Sequence, residues 1–179
     1  MNNPKVESES AGQALEELKN TVARLRAPEG CPWDRTQTHE SLKAACVEEA
    51  AEVVSGINIL SRTGKTQSLC EELGDLLLQV MMHSQIAEEE GFFTLTDVIR
   101  GINEKMIRRH PHVFGPITNN KTDPGTIPAD WKKIKAMEKM GREWEEAYLF
   151  EAFDEAEKLI AVARERKKTE QQHRKKLTD

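Results

Sequence analysis

Two short acidic motifs are the first residues in this chain whose spacing could do chemistry. Glu48-Glu49-Ala50-Ala51-Glu52 is followed by Glu71-Glu72-Leu73-Gly74-Asp75. On a helix, residues three or four apart share a face, so Glu49 aligns with Glu52 and Glu72 with Asp75. If the two segments pack as antiparallel helices, four carboxylates converge. Such a group repels itself and retains protons at a cost unless a cation enters. Magnesium, a hard ion that prefers oxygen ligands, resolves the conflict, and manganese could substitute. An ion of this kind grips phosphate oxygens and activates water. A nearby glutamate would take the proton of that water. The chain holds 31 acidic residues, so either cluster alone could equally be solvated surface. The pairing is what distinguishes them. Gly74 costs about 1 kcal/mol of helix propensity relative to alanine, and its place beside Asp75 reads as a point where backbone or a ligand approaches closely. Glu88-Glu89-Glu90 reads as a plain solvated run.

Cations suited to phosphate oxygens lie further along. Lys105, Arg108 and Arg109 fall within about one helical turn, and Lys105 and Arg109 share a face. Ammonium and guanidinium groups bind phosphate; the alternative is a cationic cap on a helix end. Trp131 stands among Lys132, Lys133 and Lys135, and a tryptophan face can stack on any base. The same choice between stacking and half-buried packing applies to Trp33. Trp144 reads as structural. His110 and His112, split by Pro111, lack a third metal ligand.

The elements that must position these groups read as helices throughout. Leu15, Leu18, Val22 and Leu25 recur at helical spacing from Ser10 to Arg26. Residues 27–34 hold two prolines and a glycine, which predicts an ordered loop. A second helix runs from His39 to Leu60 on Leu42, Cys46, Val53, Ile57 and Leu60, with a turn at 61–66. A third spans Ser68 to Glu90, turning Leu69, Leu73, Leu76, Leu77, Val80 and Met81 inward and stopping at Gly91. A fourth is capped by Thr94 or Thr96 and ends at Arg109 before Pro111. Residues 114–128 predict a loop, 129–141 a short helix and 143–168 the last helix. The basic end from Arg164 is either a solvated helix end or frayed, fraying being the preferred reading. No strand alternation occurs, so an antiparallel helical bundle is expected. The organisation predicted is a tail at 1–9, one domain at 10–145 and a C-terminal helix at 146–179.

Composition agrees. The chain has 179 residues, 32% charged and 5% aromatic. With a net charge of −5, stable nucleic-acid binding is not expected. Three widely spaced cysteines argue against a disulfide framework. Cys46 and Cys70 read as small buried residues. No apolar run reaches membrane-spanning length and no signal pattern opens the chain, so the cytoplasm is the default.

Taken in order, these residues resemble the MazG family of all-helical nucleoside triphosphate pyrophosphohydrolases. The resemblance covers about residues 14–140. It rests on Leu25-Arg26, on Cys31-Pro32-Trp33-Asp34 and Gln37-Thr38-His39, and on both acidic motifs with the run to Gln79-Val80. It continues through Ala87 to Gly91, Asn103 to Gly115 and Trp131 to Lys135. It implies a dimer-forming bundle with magnesium on Glu49, Glu52, Glu72 and Asp75, and Glu48 orienting water or metal. Lys105 and Arg109 match triphosphate-contacting positions, and Trp131 a nucleotide-contacting one. The implied reaction cleaves a nucleoside triphosphate to monophosphate and pyrophosphate. The substrate range is expected to be broad; a narrower one, for non-standard deoxynucleotides, is the nearest alternative, and a non-catalytic helical interaction module is the other. Ser68 stands where a nucleotide-binding lysine can occur in the family, so part of the phosphate grip would come from elsewhere, with Arg35 and Lys43 as candidates.

Overall fold

The computed structural model describes residues 10–115 and 127–178. Among these the chain is all-helical, with no strand. The elements are α1 Ala11–Arg26, α2 Pro32–Arg35, α3 Lys43–Thr63, α4 Gln67–Glu89, α5 Leu95–Arg109, α6 Pro111–Phe114, α7 Ile127–Lys139 and α8 Glu145–Thr178. They fall into two compact units, Met1–Thr94 and Leu95–Asp179.

In the first unit, Ser10 opens α1 with a capping box: its Oγ accepts from the Gln13 amide at 3.2 Å, and Gln13 Oε1 accepts from the Ser10 amide at 2.9 Å. The segment expected to be loop contains one helical turn, α2. Pro32 starts it with a fixed φ and no amide to satisfy. The helix α3 begins later than its apolar pattern suggested and runs on to Thr63, where Gly64 at φ 73° closes it. Only residues 64–66 join it to α4, so the pair forms an antiparallel hairpin. Gly56 is buried in that contact. A β-carbon there would stand 2.8 Å from Leu69 Cα, so glycine sets how closely the two helices approach. Gly74 has nothing within 4 Å of a built β-carbon, so of the two approaches expected there, backbone or ligand, no backbone among the described residues makes one.

The core lies where α1 meets α4. Val22, Met81, Met82, Ile86 and Ala87 are all at most 5% exposed. Leu73, Leu77 and Val80 were expected to face inward, yet they are 50%, 40% and 40% exposed, and Ile57 on α3 is 47% exposed. The helix α4 is apolar on more than one side, and its own chain covers only part of that circumference. Cys46 is half-buried and Cys70 exposed, so burial fails for the second of the two. Arg26 fastens the unit. Its guanidinium, 6% exposed, pairs with Glu89 at 2.7 Å and donates to the Asp34 and Gln37 carbonyls at 2.6 and 3.1 Å. Glu89 is therefore not part of a merely solvated run.

In the second unit, α5 packs against α6 and α7. Pro111 does end α5 but also starts α6. Most of the predicted 114–128 loop lies outside the described residues, and α7 begins at Ile127. The helix α8 continues to Thr178, so its basic end is helical rather than frayed. Trp144, expected to be structural, sets its ring edge-on to Tyr148 while remaining 65% exposed. No helix among the described residues is long and apolar enough to cross a membrane.

Candidate active site

The register of the α3–α4 hairpin explains which acids meet. With Gly56 against Leu69, stepping back along α3 means stepping forward along α4, so Glu52 comes level with Glu72, and Glu49 with Asp75. One carboxylate oxygen from each of Glu49, Glu72 and Asp75 lies within 4.8 Å of the others. Glu52 stands close enough that its charge raises the pKa of both Glu49 and Glu72.

The electrostatics follow. Burial first, then the charges of Glu52, Asp75, Glu48 and Glu72, raises the Glu49 pKa above the ordinary carboxylate range. Burial and the charges of Glu52 and Asp75 raise that of Glu72. These are carboxylates short of positive charge. All their ligand atoms are oxygens, which suits a hard divalent cation and not a thiophilic one. One turn beyond Asp75, Gln79 is 8% exposed and its Oε1 lacks a hydrogen-bond donor among the described residues. No other three ligand side chains bring their ligand atoms within 4.8 Å of one another among those residues.

The predicted cationic residues belong to the second unit. Arg109 is half-buried and its guanidinium lies 5.3 Å from the centre of the Trp131 ring, while Lys135 Nζ lies 5.2 Å from the same centre. Arg109 also donates to Glu138 Oε2 at 2.6 and 2.9 Å, and Arg108 to Glu138 Oε1 at 2.7 Å. Those hydrogen bonds hold the Glu138 carboxyl below its usual pKa. Glu138 was missed in the sequence. It stands three residues after Lys135 and seven after Trp131, the one acid on that basic helix face. Lys105 is half-buried on α5.

The remaining expectations are scattered. Trp33 is 74% exposed. Arg35 donates to the Pro28 carbonyl at 2.6 Å, and Lys43 pairs with Glu40 at 2.9 Å. His110 sits 2.6 Å from the Met106 carbonyl. A second cluster went unread. His83 Nδ1 lies 2.7 Å from His39 Nδ1, His83 Nε2 lies 3.2 Å from Cys46 Sγ, and His39 Nε2 is 3.7 Å from Glu90. Burial, then His39, lowers the His83 pKa. Glu90, like Glu89, thus has a partner.

Residues 37–114 match the family profile of the MazG nucleotide pyrophosphohydrolase domain. The chain is 51% identical over 129 residues to a nucleoside triphosphate pyrophosphohydrolase/pyrophosphatase MazG of Thermotoga maritima, covering 72% of this chain and 47% of the relative. It is 38% identical over 126 residues to a nucleoside triphosphate pyrophosphohydrolase of Escherichia coli, covering 70% and 46%. An uncharacterised Bacillus subtilis protein, YabN, is 48% identical over 122 residues, covering 68% and 24%. The chain thus spans less than half the length of these relatives.

Proposed function

Through the domain at residues 37–114 the chain belongs to the MazG family, and from that premise we propose that it hydrolyses nucleoside triphosphates to monophosphate and pyrophosphate. The observation that carries this is the Glu49, Glu72 and Asp75 oxygens gathered within 4.8 Å on facing helices. We assign Glu49, Glu52, Glu72 and Asp75 to hold magnesium, with manganese as a substitute. Bound there, the ion would neutralise the acids and polarise phosphate oxygens as a Lewis acid.

The chain's own groups do the rest. Water attacks the α-phosphorus, the bond from that phosphorus to the bridging oxygen breaks, and pyrophosphate leaves. Glu48, beside the ligand set, orients the water and, with Glu49, takes its proton. Lys105, Arg108 and Arg109 are assigned to the triphosphate, with Lys135 beside them. Trp131, and Trp33 in the first unit, are assigned to the base. A stacking ring does not read base edges, which supports a broad substrate range. The hydrolase domain is assigned to 10–145, with the C-terminal helix beyond it. Exposed Leu73, Leu77 and Ile57 support a homodimer, and the enzyme is assigned to the cytoplasm.

The test is a pyrophosphate-release screen over ribo-, deoxy- and damaged nucleoside triphosphates, with and without magnesium. Magnesium-dependent release of pyrophosphate is expected. Release of single phosphates, or no turnover of any nucleotide, would sink the proposal.

A further inference from the structure

The helix α8 is 34 residues long, about 50 Å at 1.5 Å per residue. Within its own unit, among the described residues, no other helix packs along it. A helix that long is normally stabilised by packing one face. Its own face is apolar: Leu149, Phe153, Ala156, Ile160 and Ala163 recur at alternating spacings of four and three, the repeat of a two-helix seam. Leu149, Phe153 and Ile160 are 48%, 62% and 37% exposed. A groove on α8 itself is lined by Phe153, Ala156 and Ile160 of that seam.

The charges say what covers it. Residues 145–157 hold six acidic and no basic side chains, and residues 158–178 hold eight basic and two acidic ones. Two such helices side by side in the same direction would set acid against acid and base against base. Reversed, each half meets its opposite. We propose that α8 pairs antiparallel with α8 of a second copy of this chain.

One register satisfies both the seam and the flanks. Leu149 lies opposite the partner's Ile160, and Phe153 opposite the partner's Ala156, a large residue over a small one. Beside the seam, Glu145 meets the partner's Arg166, and Glu143, in the turn just before α8 where its Oε1 accepts from the Gly141 amide at 3.0 Å, lies near the partner's Arg164. Within one chain, Glu145 stands 3.6 Å from Arg142 and Arg166 3.7 Å from Glu170. Exposed pairs of this kind contribute little and yield to the new partners.

The test uses the full-length chain. Leu149→Cys/Ile160→Cys should cross-link into a dimer under mild oxidation, above the level of the unsubstituted protein, with 149–160 disulfide peptides found by mass spectrometry. Each single variant should not, because position 149 and its own copy would stand about 16 Å apart, beyond disulfide reach. In the double-cysteine background, Glu143→Lys/Glu145→Lys and Arg164→Glu/Arg166→Glu should each cut the cross-linking yield about tenfold at limiting concentration, and combining them should restore it. Single variants that cross-link as well as the double would mean parallel pairing, and overturn the proposal. So would a charge swap that fails to rescue, or no cross-link above background. If Arg164→Glu/Arg166→Glu instead removes binding to a single-stranded DNA oligonucleotide while no cross-link forms, the helix serves nucleic acid and the pairing is wrong.

Discussion

Gly56 lies directly against Leu69, with only 2.8 Å available between a β-carbon at the first and Cα of the second. That contact fixes the height at which α3 passes α4, and hence which acids face each other. Gly56→Ala should therefore force the helices apart, destabilising the fold by about 1–3 kcal/mol. Gly74→Ala meets open space and should gain up to about 1 kcal/mol in helix propensity. Urea denaturation of the metal-free protein measures both. Equal effects at the two positions would show that the contact does not set the register.

Asp75→Asn and Glu49→Gln should lower turnover about a thousandfold while leaving the helical circular dichroism unchanged. For Glu49→Gln the effect on stability runs the other way. A carboxyl whose pKa is raised in the fold is stabilising while protonated and loses that contribution as pH rises through its folded pKa. At pH 7 without divalent ions, Glu49→Gln should thus melt higher than the parent. Magnesium should reverse the order, adding about 2.7 kcal/mol to the parent at a hundredfold excess over Kd and little to the variants. Thermal melts with and without magnesium decide it.

His83 titrates in the opposite sense. Its pKa is lowered by burial and by His39, so the neutral ring is favoured in the fold. That stability is present above the ordinary histidine range and is lost as pH falls through it. The parent should lose stability between pH 7 and pH 5 faster than His83→Gln. Parallel curves for the two proteins across that window would remove the argument.

Trp131→Ala should raise KM for nucleoside triphosphates about tenfold or more and alter kcat much less. Arg109 and Lys135 lie against that ring, so a partial loss of phosphate affinity should accompany it. Steady-state kinetics over purine and pyrimidine substrates separates stacking, which every base feels, from a packing defect that lowers kcat alone.

How much of this was legible in the sequence depends on the range of the interaction. The helices and the alignment of Glu49 with Glu52 and Glu72 with Asp75 follow from spacing within one segment. That the two pairs meet needed the three-residue turn and Gly56, and Gly56 carries no mark to separate it from Gly74, which seemed the better candidate. The inward face of α4 was misassigned because Leu73, Leu77 and Val80 are as apolar as Met81 and Ile86; composition cannot say which side another helix covers. Glu89, Glu90, His39 and His83 were passed over for a related reason. Their partners are distant in sequence, and Arg26 reaches Glu89 across 63 positions. Glu138 alone among the missed groups had a local signal, as a single acid on a basic face.

The burial and mutual repulsion that raise the Glu49 and Glu72 pKa values have an outcome for calorimetry. A divalent ion among those oxygens favours their charged form, so ion uptake should release protons, increasingly as the starting pH is lowered. The heat observed on titration would then contain the ionisation enthalpy of whichever buffer captures those protons, and would differ between phosphate and Tris at the same pH.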